Sequence, residues 1–85
     1  MERRLKIIYK KNLKMSTGKI AAQCVHAAAG LTHTDKVMSV VVLGVSDKKY
    51  HELLSTTQDF YAAIDAGYTE VKPGTETCAA YYEDV

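Results

Sequence analysis

Lys19, Gln23 and His26 stand at i, i+4 and i+7, the spacing that puts three side chains on one face of a helix. A lysine in a first helical turn lies against the positive end of the macrodipole, where an acid is preferred. The same helix end offers free backbone N–H groups to an anion. Together they suit a phosphate or a developing oxyanion. A second polar group comes in "DAGYTEVKPGTET", residues 65–77, with Asp65, Thr69, Thr75 and Thr77. A carboxylate, several hydroxyls and a lysine can orient a water for attack on an acyl bond. On residue types alone each group also has a plainer explanation. The first is an amphipathic helix with a polar outer face. The second is turn chemistry, in which Asp and Thr bond their own backbone.

Other chemistries are less well supplied. "TGKI", residues 17–20, matches the end of the phosphate-binding loop Gly-x-x-x-x-Gly-Lys-Ser/Thr. The first glycine of that motif would fall on Leu13 and its hydroxyl on Ile20, so nucleotide hydrolysis on such a loop is excluded. Cys24 and Cys78 are far apart in the chain and match no metal spacing. They read as two small buried thiols of a reduced protein. A helical wheel puts Cys24 on an apolar arc with Ile20, Ala21, Val25 and Ala28, which disfavours a reactive thiol.

Charge is unevenly spread. The net charge is +1, yet residues 1–19 carry seven Lys and Arg against Glu2, and residues 20–85 carry four against nine acidic groups. Lys10, Lys11 and Lys14 are candidates to meet an anionic partner such as nucleic acid. The alternative is a solvated first strand with charged flanks. No apolar run reaches the length of a membrane span. "MERRLKIIYKKNLK" lacks a secretory cleavage site, so a cytoplasmic protein is expected.

The elements that must position these residues read as follows. Eighty-five residues suit one domain with a thin core. Residues 5–9 are a β-rich run, followed by a loop, "KKNLKM". Ser16 or Thr17 can cap a helix ending near Gly30, where glycine suits a stop. Residues 36–45 are nearly all apolar, as expected of a strand in the middle of a sheet covered on both sides. Ser46 can cap a helix over 47–57, with Tyr50, Leu53, Leu54 and Thr57 on its core face. Residues 60–66 and 76–82 read as strands, with "KPGT" as a type II turn before the second. The order β-α-β-α-β-β predicts an α/β fold whose last two strands are antiparallel.

"LKMSTGKIAAQCVHAA", "VVVLGVSD" and "IDAGYTEVKPGTET" occur in this order over about residues 5–80. They resemble the type 2 peptidyl-tRNA hydrolase family. Its signatures include a Gly-Lys-Ile-Ala-Ala-Gln-x-x-His helix start and an Asp-Ala-Gly-x-Thr…Pro-Gly-Thr-x-Thr loop. The resemblance implies hydrolysis of the ester between a nascent peptide and tRNA, freeing stalled tRNA, with no metal, nucleotide or other cofactor. It implies a compact three-layer α/β/α fold, a mixed four-stranded sheet with helices on both faces, often as a homodimer. By motif position Lys19, Asp65, Thr69 and Thr77 are the expected active-site residues, supported by Gln23, His26 and Thr75. Lys10, Lys11 and Lys14 are expected on the acceptor stem. Tyr68 stands where the family usually has arginine. The segment between the first helix and the second strand is short, and the family's usual further helix is absent after the last strand. A non-catalytic tRNA- or protein-binding module of the same fold is the alternative.

Overall fold

The structure is a computed structural model that describes residues 3–31, 39–65 and 74–84. Its elements in chain order are β1 (Arg3–Lys10), a 3-10 turn (Lys11–Leu13), α1 (Thr17–Gly30), β2 (Ser39–Val45), α2 (Asp47–Ser55), β3 (Phe60–Ile64) and β4 (Glu76–Asp84). The expected order is the one found, with one strand longer at both ends and the first loop wound into the short turn. Residues 36–38 of the expected second strand, Ala66 of the third, and Lys72 and Pro73 of the turn lie outside the described residues. Gly74 is described and has φ 82°, the left-handed value a type II turn asks of its glycine.

Both helices start on serine caps. The Ser16 hydroxyl accepts from the Lys19 amide and the Ser46 hydroxyl from the Lys49 amide, each satisfying a first-turn donor that has no partner within the helix. The four strands form one mixed sheet in the order β2-β1-β4-β3. β1 runs parallel to β2 and antiparallel to β4, and β3 is antiparallel to β4. Strand alternation then divides the core. Leu5, Ile7, Cys78, Ala80 and Ala63 face α1, where they meet Cys24 and Ala27. Ile8, Ala79 and Tyr81 face α2, where they meet Tyr50 and Leu54. Three layers result, with the sheet between the helices.

Three expectations change. Residues 39–45 are not in the middle of the sheet: β2 is an edge strand. Val40 and Val42 pair with Leu5 and Ile7, so they share the α1 face. α1 lies over β3 and β4, and these valines remain 58% and 47% exposed. An all-apolar run reports burial partners but not their position, and here β1 and β4 hold the centre. The second change is the phase of α1. Val25 is 67% exposed while Gln23 is buried, so the helix packs through Ile20, Gln23, Cys24 and Ala27. With alanine on most sides, hydrophobic periodicity barely fixes rotation. The third is Gly30, the last helical residue, which lacks the left-handed backbone of a glycine stop. Its missing side chain admits the Tyr61 ring, since a Cβ there would lie 2.2 Å from a ring carbon.

Candidate active site

The rotation of α1 decides which members of its polar stripe reach the sheet. Lys19 and Gln23 point inward, one turn apart. The Lys19 ammonium pairs with a carboxylate oxygen of Asp65, which follows the end of β3. The two side chains are 10% and 3% exposed. Gln23 Nε2 donates to Thr77 Oγ1 at 2.7 Å. The Thr77 hydroxyl in turn donates to the Ala63 carbonyl at 3.3 Å, so this fully buried side chain ties helix to strand. His26 turns outward. Its ring centroid lies 6.3 Å from that of Tyr61 on the exposed side of the helix.

Thr77 reaches Gln23 because β4 is irregular at its start. Cys78 and Ala80 face α1, while Ala79 and Tyr81 face α2. Strict alternation would send Thr77 to the α2 face. The pairing with β3 slips between Ala63 and Ile64, Ala63 facing Cys78 and Ile64 facing Glu76. The slip inserts one residue into β4, a β-bulge, and bulges re-aim side chains in this way. Thr77 and Cys78 thus both face α1. The same segment fixes the backbone of Asp65: its N–H donates to the Thr75 carbonyl at 2.9 Å and its carbonyl accepts from the Gly74 N–H at 2.8 Å.

Lys19, Gln23, Asp65, Thr75 and Thr77 are therefore brought together, and His26 is not. Thr69 and Tyr68 lie outside the described residues. Lys11 and Lys14 are exposed. Lys10 is turned to Asp47 at 3.2 Å and lies over the Tyr50 ring, anchoring α2 to the end of β1. Arg4 and Lys6 meet Glu83. Much of the N-terminal positive charge is thus answered within the fold.

The cysteines, distant in sequence, meet across α1 and β4. Each is buried. A hydrogen bond from Cys78 holds the Cys24 thiol below its ordinary range against the opposing effect of burial, and the same contact together with burial pushes Cys78 far up. A cavity of about 410 Å³, lined by Lys6, Leu53, Thr57, Tyr81 and Glu83 among others, lies at the opposite end of β4 from Lys19 and Asp65.

A carboxylate and an ammonium in contact, largely out of water and beside a closed network of side-chain hydrogen bonds, can shuttle a proton and stabilise an oxyanion. A buried pair of this kind is costly to desolvate and weak evidence for stability, so its chemistry is the better reason for its presence. Bulge, helix phase and backbone ties gave no sign in the sequence beyond Gly74.

The model of the family described as peptidyl-tRNA hydrolase PTH2 matches residues 4–82. The chain is similar to the peptidyl-tRNA hydrolase of Methanothermobacter thermautotrophicus, at 37% identity over 85% of this chain and 78% of the relative. It is similar to that of Methanopyrus kandleri at 35%, over 85% and 77% respectively, and to that of Haloquadratum walsbyi at 31%, over 92% and 83%.

Proposed function

The chain belongs to the peptidyl-tRNA hydrolase PTH2 family, which makes it an ester hydrolase acting on peptidyl-tRNA, and from that premise we propose that Lys19 and Asp65 carry the reaction. The observation that carries this reading is their buried contact at the N-terminus of α1. Asp65 takes a proton from a water as it attacks the ester carbonyl. Lys19 faces the oxyanion of the tetrahedral intermediate. When the intermediate collapses, the ester C–O bond breaks and the proton passes to the 3′ oxygen of tRNA, leaving a peptide acid and free tRNA. Gln23 and Thr77 hold the helix in register with the strand, and Thr75 holds the Asp65 backbone. Thr69, by motif position, orients the water. His26, turned outward beside Tyr61, takes no part in this scheme.

No metal or other cofactor enters this scheme, because Lys19 supplies the positive charge, and a chelator should leave the rate unchanged. Lys11 and Lys14, with Lys10 behind them, give the acceptor stem a salt-dependent grip. A second copy covering Val40 and Val42 on β2 would make a homodimer, which sedimentation tests. Among the described residues no helix is long and apolar enough to cross a membrane, and the cytoplasm, where peptidyl-tRNA is made, is the proposed compartment.

The test is release of free tRNA from purified peptidyl-tRNA. Lys19→Ala and Asp65→Asn should each lower kcat by about 10²- to 10³-fold, the range for one oxyanion donor or one general base. Binding of tRNA that weakens with salt, with no turnover by the wild type, would make the chain a binding module instead.

A further inference from the structure

Glu76 precedes Thr77 and faces the other side of the sheet. Its Oε2 accepts a hydrogen bond from the Tyr50 hydroxyl at 2.7 Å. Tyr50 is the largest fully buried side chain among the described residues, and its place is fixed from several directions. The α2 core encloses it, and the Lys10 ammonium lies 4.9 Å from its ring centroid. Burial, then the Glu76 carboxylate, push the phenol well above its ordinary range, so it stays a donor.

On the far face, Asp65 and Thr77 depend on one short stretch. Residues 74 and 75 hold the Asp65 backbone, and the extra residue in β4 turns Thr77 toward Gln23. A bulge locally disrupts the ladder that would otherwise hold a strand. Glu76 is the residue of that stretch tied to the opposite helix.

We infer that Tyr50 is a positioning residue for the hydrolysis: through Glu76 it pins the bulged start of β4 and so aims Thr77 and Asp65 at Gln23 and Lys19. This rests on the reading of the site given above. Tyr50 touches no substrate, since the sheet stands between it and the Lys19–Asp65 pair. The effect passes through one hydrogen bond to one strand position.

The experiment combines single-turnover hydrolysis, steady-state kinetics and amide hydrogen exchange on the full chain. Tyr50→Phe removes the hydroxyl and keeps the ring. It should lower kcat about fivefold to tenfold, the value of one hydrogen bond, with KM within about twofold. Exchange at the Asp65 and Gly74 amides should quicken by a similar factor, while amides of β1 paired to β2 stay protected. Glu76→Ala should match Tyr50→Phe, and the double variant should be no worse than either, because both break the same tie. Glu76→Gln keeps an acceptor and should restore kcat to within about twofold of wild type. Asp65→Asn separates the two failures. If it retains the wild-type rate, the reading of the site is wrong and this role falls with it. If it loses rate while Tyr50→Phe keeps both kcat and Asp65 protection, only the role of Tyr50 is overturned. A lower melting temperature for Tyr50→Phe with kcat per folded molecule unchanged overturns it equally.

Discussion

The two faces of the sheet solve different problems. Toward α1, strands β3 and β4 present small side chains, Ala63, Cys78 and Ala80, against Cys24 and Ala27. Toward α2, strands β1 and β4 present Ile8 and Tyr81 against Tyr50 and Leu54. Small residues let a helix approach closely, so Lys19 and Gln23 near its N-terminal end can reach Asp65 and Thr77. Large ones fill space and hold a frame. The proposed chemistry sits on the close face, and the fully buried Tyr50 sits on the other.

The comparison can be broken most severely at the ion pair. Lys19→Met alone should cost about 3–5 kcal/mol in urea unfolding, because it takes from the buried Asp65 carboxylate the ammonium in contact with it. Lys19→Met with Asp65→Asn should recover to within about 1 kcal/mol of wild type and remain inactive, showing that the pair serves the reaction more than the fold. The frame face comes next. Leu54→Ala should cost about 2–5 kcal/mol by opening a cavity. Ala27→Leu on the close face should cost less, about 1–3 kcal/mol from overpacking. It should nevertheless lose more kcat per folded molecule, since lifting α1 separates Gln23 from Thr77. A result with the order of kcat losses reversed would refute the division of labour.

Smaller effects sharpen the outer boundary of the site. Lys11→Ala and Lys14→Ala should leave kcat alone, weaken tRNA binding, and each flatten the dependence of log Kd on log salt by about one unit. Glu83→Gln, which loosens Arg4 and Lys6 at the opposite end of the sheet, should cost no more than about 1 kcal/mol and leave the kinetics unchanged.

How far the site could be read in advance differs residue by residue. Lys19 and Asp65 were legible because their motif neighbours carry the resemblance, not because any spacing links positions 19 and 65. The strands and helices were legible from local pattern and caps. The edge place of β2 was not, since pairing order is set by partners distant in the chain. The inward turn of Gln23 and the outward turn of His26 were hidden by alanines that give a helical wheel no preferred direction. The bulge at Thr77 was hidden because a one-residue slip is decided by how two strands meet. The link from Tyr50 to Glu76 spans 26 positions and leaves no periodic trace.

The pairing of Arg3 with Asp84 also bears on how the protein comes into being. Of the four described strands β4 is made last, yet it lies between β1 and β3, and its first residues carry Thr77 and fix Asp65. Pairings between such distant positions form only after the intervening chain has been brought together. During its own synthesis the growing chain is itself joined to tRNA, and until β4 has been made the proposed cluster of Lys19, Gln23, Asp65 and Thr77 cannot assemble. The order of strands in the sheet thus makes the proposed site depend on the completion of β4.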